Sequence, residues 1–391
     1  MAGSYIIAGA RTPIGKLSGS LSSMSAAELG SIAIRAALER AGVKPEQVNH
    51  VIMGQVLMAG QGQVPARQAA AGAGIPLNIP SVNVNKVCLS GLNSIYLADQ
   101  MIQSGEADIV VAGGMESMSN APYLALGARG GFRYGNTELS DSIIKDGLWC
   151  AFDSCLMGLG TERYSAGNIS REAQDELSMK SNVRAAAAAD RLAEEIVPVA
   201  IPQRKGDPVM FSTDEGVRAN TTMESLSSLK PAFDKQGTIT AGNASQISDG
   251  ASAMVLASKK AAEKLGVTPL GEFVGYGMVA GPDSASLLLQ PSRSILAAID
   301  RAKMKLSDVD LFEINEAFAA VGVASMKDLG ISDDVVNVNG GAIALGHPIG
   351  MSGNRLALTI LHELRRRGGG VGAAALCGGG GQGDALIVRT V

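Results

Sequence analysis

This chain repeats itself, and the repetition limits its possible folds more than any single motif does. Ala36-Ala37-Leu38-Glu39-Arg40-Ala41, followed by Val48-Asn49-His50-Val51-Ile52-Met53-Gly54, is echoed by Ala297-Ala298-Ile299-Asp300-Arg301-Ala302 and Val309-Asp310-Leu311-Phe312-Glu313-Ile314-Asn315. Val82-Asn83-Val84-Asn85 recurs as Val336-Asn337-Val338-Asn339. Each copy then carries a Ser-Gly step, Ser90-Gly91 and Ser352-Gly353, that opens an apolar helix. Each ends in a strand of small residues reaching glycines, at 108–114 and 371–378. Matches at several segments in the same order imply two related α/β halves stacked about a pseudo-twofold axis.

Local signals agree with helix followed by buried strand in each copy. Ser25-Ala26-Ala27-Glu28 has the form of a capping box, Leu29, Ile32, Ala33 and Ala36 line one helical face, and Gly42 ends it. The strands 48–53 and 309–314 are short and largely apolar, as in a sheet covered by helices on both faces. Functional residues of such sheets gather where strands end and helices begin. The duplication therefore predicts that Cys88 of one half lies near His347 and Cys377 of the other. Residues 1–115, completed by about 241–268, form the first half, and 269–391 the second. Residues 116–240 have no counterpart and contain a helix from Gln174 to Leu192 with Ser170 as N-cap. An insertion of that length serves as a substrate-binding lid or as an oligomerisation arm, and the residues leave both readings open.

A chain of 391 residues has room for two or three domain-sized units. Its net charge of −4 gives no reason to expect nucleic acid or a membrane surface as partner. No apolar run reaches the length of a spanning helix. Residues 1–11 lack a basic leader and a small-residue cleavage site, and Tyr5-Ile6-Ile7-Ala8 reads as a first strand. Four cysteines are too few for a disulfide framework, so a reducing cytoplasm is expected. Cys150 and Cys155 have no histidine or further cysteine at zinc-site spacing, and no metal site is expected; the pair reads as structural.

Chemistry concentrates in glycine-dense backbone. Gly340-Gly341-Ala342-Ile343-Ala344-Leu345-Gly346-His347-Pro348 holds one of three histidines, and Leu376-Cys377-Gly378-Gly379-Gly380-Gly381 one of four cysteines. Glycine runs are entropically costly and mark sharp turns or close approach to a ligand. Cys88 falls just before the helix opening at Ser90, where partial positive charge lowers a thiol pKa; the competing reading is a small buried core cysteine. His347 is either structural or catalytic on its own, and its frame of Gly346 and Pro348 favours catalysis. His50 and His362 carry no assigned role. The glycines after Cys377 form an anion-binding concavity but lack the Lys-Ser/Thr of a phosphate loop, which favours an oxyanion hole. Asn315 follows a strand and either donates to a substrate oxygen or caps a helix.

These blocks resemble the thiolase family over essentially the whole chain. The resemblance rests on Asn85-Lys86-Val87-Cys88-x-Ser90-Gly91, Asn315-Glu316-Ala317-Phe318, Gly346-His347-Pro348-Ile349-Gly350 and Cys377-Gly378-Gly379-Gly380. Leu229-Lys230-Pro231-Ala232-Phe233, Gly242-Asn243-Ala244-Ser245 and Ser248-Asp249-Gly250 add to it. It implies a duplicated, five-layered αβαβα fold with an inserted loop domain. It also implies reversible condensation of two acetyl-CoA molecules to acetoacetyl-CoA and CoA, through an acetyl-cysteine intermediate. By the same resemblance Cys88 is the nucleophile, and His347 draws off its proton. With Asn315 and a water, His347 also holds one thioester oxygen. Cys377 exchanges the α-proton of the second acetyl group, and the N–H groups of Cys88 and Gly379 form a second oxyanion hole. Ser245 lines the pantetheine channel, Met157 and Phe318 the acyl pocket, and Arg218 meets the nucleotide end of CoA. CoA is substrate and product rather than cofactor, no further cofactor is implied, and a homo-oligomer, dimer or tetramer, is expected.

Three departures bear on chain length. Leu89 stands where the family usually has Gly or Ala and is expected to add bulk beside the thiol. Leu156-Met157-Gly158 replaces His-Met-Gly, and the stretch from Gly281-Pro282-Asp283 to Gln290-Pro291 differs from the usual Gly-x-Gly-Pro. The competing enzyme reading is a degradative 3-ketoacyl-CoA thiolase of broader chain length; a more distant one is a non-catalytic CoA- or lipid-binding relative.

Overall fold

The structure is a computed structural model describing residues 4–203 and 205–391; residues 1–3 of the N-terminal segment and Arg204 lie outside the described residues. Nine strands carry the fold: β1 (Tyr5–Arg11), β2 (His50–Gly54), β3 (Ser81–Val84), β4 (Ile109–Ser117), β5 (Ser248–Ala257), β6 (Gly271–Ala280), β7 (Leu311–Ile314), β8 (Val371–Gly378) and β9 (Gln382–Arg389). Their order is β7-β8-β9-β6-β1-β5-β4-β2-β3, with a short strand at Gly15–Lys16 beside β5. Within each half the pattern is the same. β1 pairs antiparallel with β5, β5 antiparallel with β4, and β4 and β3 flank β2 in parallel. In the second half β6 pairs antiparallel with β9, β9 antiparallel with β8, and β8 parallel with β7. Val336, the repeat counterpart of Val82, makes only an isolated bridge to Phe312. The two half-sheets are joined where Tyr5 and Ile6 pair with Glu272 and Gly271, a seam the repeat does not announce.

Helices place three layers around these two sheets. The first half is covered on its outer face by α1 (Ala26–Ala41) and α2 (Pro65–Gly72), whose apolar faces meet β1, β2, β4 and β5. Ser25 and Glu28 form the expected capping box at the start of α1, and Gly42 ends it in the left-handed region at φ 63°. Two helices lie between the sheets: α3 (Ser90–Gln103) and, from the second half, α8 (Ser352–Arg366). Leu92, Ile95, Leu356, Leu358 and Leu361 bury themselves there against residues of both sheets, at roughly 1.5–3 kcal/mol for each side chain. The inserted segment supplies α4 (Met157–Ser165) and α5 (Arg171–Ala187), the latter capped by Ser170 and ending five residues short of the expected Leu192. On the far side α6 (Gln290–Ala302) and α7 (Ala319–Leu329) complete the αβαβα order. A helix buried on almost every side must pair its polar groups. Accordingly Arg355 of α8 meets Glu313 at 2.9 Å, and Thr359 donates to Glu195 at 3.0 Å.

The repeated Ser-Gly steps have a packing cause. A Cβ on Gly91 would lie 2.8 Å from the Gly350 carbonyl oxygen, and one on Gly353 would lie 2.4 Å from the Leu92 nitrogen. The two central helices therefore begin in backbone contact, which only glycine permits, and the loops holding Cys88 and His347 meet above that contact. Gly353→Ala is expected to lose about 1–3 kcal/mol through overpacking, read as a lower midpoint in urea unfolding. An unchanged midpoint would mean that the helices can part without cost.

Candidate active site

The loop around Cys88 is a turn held by its own side chains. Val87 sits at φ 52°, unusual for a β-branched residue, and its N–H donates to Asn85 Oδ1 at 3.1 Å. Ser90 Oγ accepts from the Lys86 N–H at 2.8 Å and donates to the Val87 carbonyl at 2.6 Å. Lys86 Nζ reaches across to Asp384 at 2.8 Å, which also accepts from Tyr276 Oη at 2.8 Å. These bonds explain why Asn, Lys and Ser surround Cys88 at that spacing. Together they present its half-buried thiol to a cleft just before α3 begins.

That cleft, of about 50 Å³, is lined by Cys88, His347, Cys377 and Gly379, and by Ser245, Met157 and Phe318. Seven of the nine expected site residues thus share one space. Asn315 joins through His347: its Nδ2 lies 3.3 Å from His347 Nε2. It stands between β7 and α7, with Phe318 rather than Asn315 at the helix N-cap, so the capping reading fails. Arg218 does not line the cleft; it is exposed, and its backbone N–H donates to Asn182 at 3.0 Å. Its loop nevertheless packs behind the site, because Gln246 donates to the Gly216 carbonyl at 3.1 Å while accepting from the His347 N–H at 3.0 Å.

The hydrogen-bond network assigns the imidazole tautomer. Ser352 Oγ donates its single proton to the Pro348 carbonyl at 3.0 Å, so at 2.6 Å it accepts from His347 Nδ1–H. His347 Nε2 is then a bare acceptor, facing Asn315 Nδ2. Burial, reinforced by the charge of Arg355, brings the imidazole from its ordinary 6.5 down to about 3, so the resting ring is neutral. Asn315 Oδ1 is buried and without a protein partner.

The thiols behave differently from the expectation drawn from the helix start. Burial pushes Cys88 up to about 12, against the opposing pull of its own N–H and that of Gly379. Enclosure outweighs the helix terminus, and Cys88 rests as a thiol rather than a thiolate. Those two N–H groups both interact with its sulfur, so they also flank any group bonded to it. Cys377, at the end of β8, is raised further by burial and by the neighbouring Cys88.

Two side chains that support this site went unnoticed in the sequence. Glu116 ends β4 fully buried and accepts from the N–H groups of Val56 at 3.0 Å, Leu57 at 3.1 Å and Gly350 at 3.0 Å. It latches a loop of one half to the histidine loop of the other, and burial lifts it to about 7. A charged residue ending a strand of small residues was the available signal. Ser352 was legible only as a helix opener. Leu89 corrects an expectation: its side chain is wholly buried in the central layer, under Gly378, and does not narrow the cleft. Leu156 does not line the cleft either.

Burial of a neutral histidine makes stability depend on acid. The unfolded chain takes up a proton near pH 6.5, whereas the folded one does so only near 3. The contribution is therefore complete above about 6.5 and is lost as pH falls towards 3. Relative to His347→Gln, the protein is expected to lose up to about 1.4 kcal/mol more per pH unit across that window. Urea midpoints at several pH values check it; parallel curves would show that His347 titrates normally when folded.

Comparison with known proteins agrees with this geometry. Residues 4–260 match the family model of the thiolase N-terminal domain, and residues 267–390 that of the thiolase C-terminal domain. The chain belongs to the thiolase family. It is 57% identical over 387 residues to a probable acetyl-CoA acetyltransferase of Mycolicibacterium smegmatis, covering 98% of this chain and 100% of that one. A probable acetyl-CoA acetyltransferase of Mycobacterium tuberculosis is 55% identical over 392 residues, the whole of both chains. The acetyl-CoA acetyltransferase of Cupriavidus necator is 53% identical over 387 residues, 98% of each. Among the described residues of this thiolase, no helix is long and apolar enough to cross a membrane.

Proposed function

We propose that this thiolase is an acetyl-CoA C-acetyltransferase that condenses two acetyl-CoA molecules reversibly to acetoacetyl-CoA and CoA. The observation that carries it is the convergence of Cys88, Cys377 and the His347–Asn315 pair on one small cleft beside the Gly379 N–H. The names of the relatives support the acetyl substrate.

In the first half-reaction Cys88 sulfur attacks the thioester carbon, and its proton passes to His347 Nε2. The oxygen gathers charge against the N–H groups of Cys88 and Gly379, each such donor contributing about 2.7–4 kcal/mol. Because the imidazolium is costly in this enclosure, the proton moves on to the departing CoA sulfur, leaving acetyl-Cys88 and free CoA. In the second half-reaction Cys377, as its thiolate once its own proton has passed to solvent, removes an α-proton from another acetyl-CoA, whose oxygen accepts from a water held at Asn315. The carbanion attacks acetyl-Cys88, the bond between the acetyl carbon and the Cys88 sulfur breaks, and that sulfur takes the proton held by Cys377, which leaves the Cys88 thiol and frees acetoacetyl-CoA. Exchange among thioesters is nearly isoenergetic, so neither half-reaction ends in a deep well.

Ser245, Met157 and Phe318 would bound the pantetheine and acetyl groups, with Arg218 outside the cleft towards the nucleotide. In this reading 116–240 is a substrate-binding insertion between halves 1–115 with 241–268 and 269–391. CoA serves as substrate and no cofactor takes part. A homo-oligomer is supported by the edge strand β3, with Val82 exposed, and by Tyr123, Leu126, Phe132 and Tyr134, all exposed on one inserted arm. A cytoplasmic location suits four free cysteines.

The test compares kcat/KM for CoA-dependent cleavage of acetoacetyl-CoA with that of a medium-chain 3-ketoacyl-CoA. The narrow cleft leads us to expect a preference of at least about tenfold, or 1.4 kcal/mol, for acetoacetyl-CoA. Equal use of the longer substrate would move the assignment to a ketoacyl thiolase, and activity on neither would remove it.

A further inference from the structure

Outside the catalytic pair, the remaining two cysteines face each other. A short hairpin in the inserted segment pairs Trp149 with Leu156 and Cys150 with Cys155 in antiparallel register. Opposed residues of antiparallel strands have Cα atoms about 4.5–5.5 Å apart, inside the span of about 4.4–6.8 Å that a disulfide bridges. Side chains at such positions leave the same face of the hairpin, so the two sulfurs need no backbone reversal to meet. Both cysteines are free and buried. Cys150 Sγ is engaged within the intervening loop: it accepts from the Asp153 N–H at 3.4 Å and lies 3.7 Å from Asp153 Oδ2. Among the described residues no group of three or more ligating side chains surrounds them.

The hairpin's position gives the pair a consequence. Gly147 and Leu148 lead into it and Met157 leads out, and all three line the catalytic cleft. At its tip Phe152 is 79% exposed, yet its ring lies 3.1 Å from where a Cβ on Gly380 would stand, so it rests on the glycine loop that follows Cys377. Whatever holds or releases this hairpin acts on two walls of the cleft and on the backbone beside Gly379.

We infer that Cys150 and Cys155 form a redox-active pair that closes to a disulfide under peroxide and is reopened by thiol reductants. The oxidant is hydrogen peroxide, little larger than a water molecule. One sulfur attacks a peroxide oxygen, becoming a sulfenic acid and releasing water. The second sulfur then displaces that hydroxyl as water, and the S–S bond forms. The two sulfurs lose two electrons and two protons in all, and one peroxide becomes two waters. The bond would staple the hairpin across the loop 151–154, fixing Phe152 over Gly380.

The experiment needs no assumption about the reaction catalysed. The full-length protein is titrated with hydrogen peroxide, free thiols are blocked with iodoacetamide, and digested peptides are mapped by mass. At a peroxide dose that leaves secondary structure intact, we expect most of the 149–156 peptide to lack alkyl groups and to be lighter by two hydrogens. Dithiothreitol before blocking should return it to the doubly alkylated form. The same result is expected in Cys88→Ser/Cys377→Ser protein, which removes competition from the cleft thiols. Cys155→Ser should leave Cys150 open to over-oxidation instead of protected. Full alkylation of both cysteines at doses that oxidise Cys88 would overturn the inference. So would separate sulfinic acids at the two positions, or a bond from either cysteine to Cys88 or Cys377.

Discussion

Cys88→Ala is expected to lower turnover in both directions by more than about 10⁴-fold, the scale on which removal of a covalent nucleophile acts. No other side chain at the cleft replaces it: Cys377 ends a different strand and is more deeply buried, and His347 holds its only bare nitrogen towards Asn315. The fold should be nearly unaffected. The Cys88 thiol is half-buried and accepts only from backbone N–H groups, while the turn beneath it is held by Asn85, Lys86 and Ser90. A change in unfolding free energy within about 1 kcal/mol is therefore expected. Initial rates of acetoacetyl-CoA thiolysis, with a thermal melt on the same preparation, decide the matter. Near-normal activity in a well-folded variant would falsify the nucleophile assignment. A large loss of activity accompanied by unfolding would point instead to a structural cysteine.

Much of this arrangement was legible before the structure because it is written twice. The repeated helix and strand segments imply two like half-sheets, and the Ser-Gly steps mark the two helices whose starts meet in backbone contact in the central layer. The glycine-dense frames singled out Cys88, His347 and Cys377, which line one cleft, while Ser245, Met157 and Phe318 came only from the family resemblance. What stayed hidden depends on direction and enclosure rather than on residue type. Leu89 follows Cys88, but the left-handed turn at Val87 sends it under Gly378 and into the core. The helix start near Ser90 was visible and argued for a lowered thiol pKa; the walls from the other half, which raise it, were not. Glu116 lies far in sequence from Gly350 and binds only backbone N–H groups, which leave no pattern of side chains to read. The seam between β1 and β6 is equally silent, since pairing of two edges needs no particular residue.

Cys377→Ala should separate the two half-reactions. Acetyl transfer to Cys88 uses His347 and the two backbone donors, none of which the substitution removes. Rapid mixing with acetyl-CoA should therefore still release about one equivalent of CoA per site and leave an acetylated Cys88 peptide. Condensation should fall by about 10²–10⁴-fold, the range for loss of a positioned acid–base group. The environment of Cys377 gives it this role. Burial and the adjacent Cys88 raise its pKa, so it rests protonated, ready to deliver a proton to the carbanion formed in thiolysis. Acetylation of Cys88 leaves the sulfur beside Cys377 uncharged and unable to ionise, so a Cys377 thiolate formed at that stage has no like charge next to it. Enclosed and poorly solvated, the thiolate is a strong base aimed at a weak carbon acid. Unimpaired condensation would take Cys377 out of proton transfer. Failure to acetylate Cys88 would instead place it in the first half-reaction, where its charge rather than its proton would matter.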